Sequence, residues 1–164
     1  SSAFSFEAFD LLNSIGMPAW KIGSGEFKSN ELIQKMIKTK KPILYSTGMS
    51  YWEEIDEAVN ILIKNKAEFA IFQCTSQYPT KPKNVGLNII KDLLDRYNVP
   101  IGLSDHTGKF FSPLSAIALG ANLIEVHVVF DKKMFGPDVS SSLDFHTSEP
   151  PCLLKRVINK IERR

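Results

Sequence analysis

The chain has 164 residues, 43% apolar and 23% charged. That is enough material for one ordinary domain with a real core, and the wrong mix for a disordered segment. Its 20 basic and 18 acidic residues are interspersed and leave a net charge of only +2, which argues against an electrostatic nucleic-acid footprint. The densest basic run, KTKK at 38–41, falls where a helix ends, and cations suit the negative end of a helix dipole. No apolar run approaches the roughly 20 residues that cross a membrane, and SSAFSFEAFD at the start has neither the charge nor the apolar stretch of a signal peptide. Cys74 and Cys152 show no metal-type or disulfide spacing, so a cytoplasmic protein with reduced thiols is expected.

In chain order, a helix is predicted over roughly 5–15, followed by a short apolar strand, PAWKIG (18–23). Asn30 is placed to cap the helix ELIQKMIKT, and PILYS (42–46) is the next strand. The stretch after Ser50 puts Ile55, Val59 and Leu62 on one helical face, and FAIFQ (69–73) follows as a strand. Asn84 precedes a helix in VGLNIIKDLLDRY, then PIGLS (100–104) reads as a strand. SPLSAIALG runs to Gly120 as a helix stop, NLIEVHV (122–128) is the fifth strand, and a last helix is predicted over 147–162. Strand and helix alternate throughout, and the strands are apolar on both faces, which defines a parallel α/β fold. An open doubly wound sheet of five strands fits the length; a (β/α)8 TIM barrel needs eight strands and about 250 residues.

The strand ends favour the barrel. Lys21, Ser24 and Glu26 close the first strand, and Ser46 and Thr47 the second. Thr75, Ser76 and Tyr78 close the third, Ser104, Asp105 and His106 the fourth, and Glu125 and His127 the fifth. An open sheet uses mainly its switch point, whereas a closed ring gathers chemistry at every C-terminal strand end. Alternation puts Glu125 and His127 on one face, and an adjacent parallel strand brings His106 within reach. Two imidazoles with oxygen donors suit Mn2+, Fe2+, Co2+ or Zn2+; ordinary polar strand caps are the alternative. His146 reads as a solvated or structural loop residue.

Lys21 lies inside a strand and shares a face with the small residues Ala19 and Gly23. A buried lysine needs an anion or a chemical role, unless its ammonium snorkels out to water. GSGE beyond it and STG at the next strand read as an anion cradle. Glu26 is either a general acid or base or a helix starter, Cys74 a small core residue, and Asp138 in GPD a turn former or a ligand contact.

WKIGSGEF, KPILYSTGMS, CTSQYPT, IGLSDHTG, IEVH and GPDVSSSL, in that order, resemble the sialic acid synthases, including the relatives that act in legionaminate and spore-coat polysaccharide synthesis. The resemblance implies a (β/α)8 barrel followed by an antifreeze-like domain in a domain-swapped homodimer. It also implies condensation of phosphoenolpyruvate with an N-acylmannosamine-type sugar, in the presence of Mn2+ or, alternatively, Mg2+ or Co2+. It makes His106 and His127 metal ligands, and Lys21, Ser24, Ser46 and Ser104 the phosphoenolpyruvate contacts. Glu26 and Glu125 become the carboxylates at the reacting carbons, and Tyr78 and Asp138 the contacts to the acceptor sugar. Ser76 stands where some relatives have asparagine, which leaves the sugar open. Set against that family, residues 1–164 hold about the last five β/α units, without the first three strands or the antifreeze-like domain. The second expectation is therefore a non-catalytic partial barrel that self-associates through its open strand edges.

Overall fold

A computed structural model describes residues 1–144. The predicted helix over 147–162, His146 and Cys152 lie outside the described residues. Five helices and six strands alternate: α1 (Phe6–Ile15), β1 (Trp20–Ile22), α2 (Asn30–Lys38), β2 (Ile43–Ser46), α3 (Trp52–Lys64), β3 (Phe69–Cys74), α4 (Leu87–Arg96), β4 (Ile101–Asp105), α5 (Phe111–Ala118), β5 (Leu123–Val129) and β6 (Ser142–Asp144). The strands lie in one sheet in chain order, every pair parallel. This is an arc of β/α units of the TIM-barrel type. A parallel bridge between Ser2 and Lys21 extends the sheet beyond β1.

Local chemistry accounts for the boundaries. The Ser5 hydroxyl caps α1 by accepting the Ala8 N–H at 3.1 Å, and Gly16 ends the helix with φ +89°, a left-handed conformation that suits glycine. Ser29, not Asn30, is the residue before α2, so the predicted cap is displaced by one position. The helix expected after Asn84 starts only at Leu87. Pro82–Asn84 form a 3-10 turn, and Gly86 at φ +72° breaks the path. A side chain at 86 would also meet Gln73, whose amide donates to the Val85 carbonyl at 3.1 Å. No helix among the described residues is long and apolar enough to cross a membrane.

In-register parallel neighbours share a face, and this sorts the strands into two surfaces. One face carries Trp20, Ile22, Ile43, Tyr45, Ile71, Ile101 and Leu103, and packs against Leu32, Ile33, Met36, Ile55, Val59, Leu62, Ile90 and Leu93 of the helices. The core therefore sits between sheet and helices, and the predicted face of α3 is buried as expected. The opposite face, the inside of the arc, carries Lys21, Ser46, Phe72, Cys74, Ser104, Glu125 and His127. Gly102 on that face makes room for the Phe72 ring, since a Cβ there would lie 2.7 Å from it.

β6 was not predicted. GPDVSSSL reads as turn and loop because it is polar and short, yet Ser142–Asp144 pair in parallel with His127–Val129.

Candidate active site at the strand ends

The inner face brings residues from opposite ends of the sheet together. The Lys21 ammonium of β1 donates to the Glu125 carboxylate of β5 in a close ion pair. It also lies 4.5 Å from the centre of the Phe72 ring, a cation–π contact. The lysine side chain is only 12% exposed and the glutamate 44%, so the cation is the more deeply held partner. Burial works to raise the Glu125 pKa, but Lys21, by hydrogen bond and by charge, together with the Ser104 hydroxyl and His106, holds it below the ordinary glutamate value. Ser104 is in register with Glu125, as parallel pairing requires.

Beside this pair is an aromatic group. The rings of His106 and His127 are 5.0 Å apart and nearly perpendicular, and Tyr78 lies 4.2 Å from His106 and 5.9 Å from His127. A cis peptide joins Tyr78 to Pro79. His106 is buried, and its Nδ1 is 3.0 Å from the Thr75 carbonyl oxygen. A carbonyl only accepts, so Nδ1 carries the proton and Nε2 keeps its lone pair. Burial, followed by the neighbouring His127 charge, pushes the His106 pKa down against the Thr75 hydrogen bond, which favours the neutral ring. The Asp138 carboxylate is 3.7 Å from His127 Nδ1, too far for a hydrogen bond. Burial raises the Tyr78 pKa, so the phenol stays protonated.

An imidazole whose Nδ1–H is held by an oxygen is the usual form of a metal ligand. No group of three or more His, Cys, Asp and Glu ready for a metal is found among the described residues. His106 and His127 are thus two neighbouring imidazoles without a third such donor grouped with them among the described residues.

The other predicted residues are placed less uniformly. Ser24 donates to the Cys74 sulfur at 3.2 Å, and Cys74 is buried, as its reading as a small core residue expects. Ser46 is buried at the end of β2, in register with Phe72. The loop beyond β2 comes so close that a Cβ on Gly48 would lie 2.3 Å from the Ser24 hydroxyl and 2.6 Å from that of Ser76. Glu26 opens a 3-10 turn over Glu26–Lys28, and its carboxylate makes no hydrogen bond or ion pair among the described residues. The helix-starting role is the one the fold shows for it. Asp138 does form a turn, its carbonyl accepting from Ser141 N and Ser142 Oγ.

Sequence reasoning missed two contributors and placed a third, Asp105, at its strand end without a role. Phe72 forms the floor under Lys21, and its place on the same face as Cys74 was the available signal. The Thr75 carbonyl orients His106, but a backbone group leaves no trace in a sequence. Asp105 accepts from Thr107 N at 3.1 Å and Thr107 Oγ1 at 2.7 Å, fixing the turn that carries His106. Burial raises the Asp105 pKa, opposed by those two hydrogen bonds.

Parallel β/α units with a lysine, a glutamate and two histidines on the inner face define a TIM-barrel-type scaffold with its titratable groups at the strand ends. The sequence profile of the NeuB family matches residues 1–162, and the chain belongs to that family. It is 39% identical over 163 residues to an N,N'-diacetyllegionaminic acid synthase of Campylobacter jejuni, covering 98% of this chain and 49% of that one. It is 41% identical over 162 residues to an uncharacterized protein of Methanocaldococcus jannaschii, covering 98% and 46% respectively. Its structure aligns with a TM-score of 0.86 and 30% identity to an N-acetylneuraminic acid (sialic acid) synthetase of Leptospira borgpetersenii, covering 99% of this chain and 55% of that one. The chain thus spans about half the length of the relatives it matches.

Proposed function

We propose that the protein carrying these residues condenses phosphoenolpyruvate with an N-acylated mannose-type sugar, giving a nine-carbon 2-keto acid and phosphate. The observation that carries this reading is the Lys21–Ser104–Glu125 cluster beside the His106–His127 pair, in a chain of the NeuB family. The printed names of the relatives, synthases of legionaminic and N-acetylneuraminic acid, support a sugar-acid product. A cytoplasmic enzyme that works as a homodimer, with no nucleic-acid or membrane partner, completes the reading.

In this reading Lys21, Ser24, Ser46 and Ser104 hold the carboxylate and phosphate of phosphoenolpyruvate by charge-assisted hydrogen bonds. Tyr78 and Asp138 face the sugar. His106 and His127 hold a divalent ion, Mn2+ first and Mg2+ or Co2+ as alternatives, and such an ion supplies Lewis-acid polarisation of an aldehyde oxygen. C3 of phosphoenolpyruvate forms the new carbon–carbon bond to the aldehyde carbon, whose oxygen takes up a proton. C2 becomes cationic, and a carboxylate, Glu125 or Glu26, stabilises it. Water adds at C2 and loses a proton. The C2–O bond to phosphate then breaks, releasing phosphate and leaving the keto group.

The test is phosphate release from phosphoenolpyruvate with and without Mn2+ and N-acetylmannosamine. Release that needs both is expected. Release without the sugar refutes the reading, as does no release from a protein of the relatives' full length.

A second reading concerns this chain by itself. Phe4, Leu11 and Ile15 beside β1, and Met134 and Phe135 beyond β5, are exposed apolar groups at the two ends of the arc. We infer that the chain alone self-associates without catalysing the reaction. Sedimentation showing a dispersed monomer that unfolds cooperatively would sink this second reading.

A further inference from the structure

The protein makes the Lys21–Glu125 contact with itself, at the place where the anionic groups of the proposed substrate belong. Lys21 rests on Phe72, is almost withdrawn from water and is paired with the Glu125 carboxylate. Ser104 stands in register beside Glu125 on the neighbouring strand. Of the four groups proposed to grip phosphoenolpyruvate, one is therefore engaged by a side-chain carboxylate of the chain and a second stands next to it.

We propose that Glu125 is an internal stand-in for the substrate's anion: it pairs with Lys21 beside Ser104, and an incoming carboxylate or phosphate displaces it. The inference rests on the anion-site reading above and deepens it. Three observations carry it. A largely buried ammonium is costly without a counter-ion, so the seat has to be charge-balanced when no ligand is there. The two partners are unequally held, since Lys21 is pinned over an aromatic floor while the glutamate is 44% exposed and has solvent to move into. The carboxylate of a glutamate is also the closest match a side chain offers to the carboxylate of an α-keto-acid precursor, with the same two oxygens for the same donors.

Displacement has a second effect. Glu125 shares its strand face with His127, two residues on, and the rings of His127 and His106 stand in contact. Once released from Lys21, the carboxylate remains on the strand face it shares with His127. Anion binding then delivers a carboxylate to the reacting side of the site in the same event that seats the substrate.

The test is calorimetric binding of inorganic phosphate, pyruvate and phosphoenolpyruvate to this chain in metal-free buffer, with thermal melts of every variant as a check on folding. Glu125→Gln is expected to bind about tenfold tighter than the unmodified chain, the scale of one partly exposed ion pair no longer competing. Glu125→Asp keeps the charge but shortens the reach by one methylene, and tighter binding is expected there too. Lys21→Met is expected to lose binding in every background. A response to phosphate alone assigns the stand-in to the phosphoryl group, and a response to pyruvate alone assigns it to the carboxylate. If Glu125→Gln tightens binding while Glu125→Asp does not, the effect is plain charge repulsion and the stand-in is overturned. If both bind no tighter while Lys21→Met still loses binding, the stand-in is likewise wrong and the anion site remains. If Lys21→Met binds as well as the unmodified chain, the anion-site reading itself falls.

Discussion

Two clusters in this molecule join a cation, a carboxylate and an aromatic ring, and they differ in almost everything else. On the inside of the arc, Lys21 pairs with Glu125 over Phe72. On the outside, Arg96 of α4 pairs with both oxygens of Asp56 of α3, the Tyr97 hydroxyl donates to Asp56, and the guanidinium lies 5.3 Å from the Trp52 ring centre. The outer cluster is an open-surface clamp between two helices. Its arginine bonds both carboxylate oxygens and shares one of them with Tyr97, so the Arg96 pKa is raised and the Asp56 pKa lowered. Partial burial, together with the bond to Asp56, pushes the Tyr97 phenol up to about 12. Nothing there is left to do chemistry. The inner pair crosses from the first strand to the fifth and meets only one lysine and one half-exposed glutamate, so it can open. The same ingredients thus make a fastener in one place and a poised site in the other, and geometry decides which.

The largest effect that would break this contrast lies inside. His127→Ala is expected to weaken Mn2+ binding by about 100-fold or more, since removal of even an outer-shell partner costs about 10–100-fold. Titration followed by electron paramagnetic resonance checks it, and an unchanged affinity would show that the imidazole pair is structural. Next comes the apolar side of the helix that carries the outer clamp. Leu62 on α3 is fully buried, so Leu62→Ala is expected to cost about 2–5 kcal/mol in chemical denaturation, without a direct effect at the strand ends. Gly48→Ala pushes a methyl group against Ser24 and Ser76, and it should weaken phosphoenolpyruvate binding about tenfold with a much smaller change in stability.

Asp56→Asn is expected to be mildest, about 0.2–1 kcal/mol, because both partners of the outer pair face solvent. The sign with pH follows from the lowered Asp56 pKa: the stabilisation is present above the ordinary aspartate range and is lost as pH falls through the folded-state value. The stability difference between the parent chain and the asparagine variant should therefore shrink to nothing on acidification. A difference that persists at low pH would mean that the clamp holds by packing rather than by charge.

Much of this was legible in the sequence. The two-sided apolar strands and the periodic face of α3 marked the β/α units, because burial on both faces leaves no other pattern. The pairing of His106 with His127, and the inward aim of Lys21, followed from strand alternation alone. What could not be read had specific causes. The partner of Lys21 depends on the curvature of the sheet, which brings residues 104 positions apart into contact and which no local pattern records. β6 is three residues of serine, leucine and aspartate that become a strand only because His127–Val129 offer an edge.

Gly108 ties two parts of the site that would otherwise be independent. It sits at φ +63° in the turn after His106, and any Cβ there would meet the Ser140 carbonyl oxygen at 2.8 Å and that of Ser142 at 2.9 Å. The turn that presents His106 and the backbone that follows Asp138 are thus nested against each other, carbonyl to glycine. In a lineage that diverges here, the freedom lies in the side chains around Asp138. The length and path of that loop are not free to drift, because each shift would be felt two strands away by an imidazole.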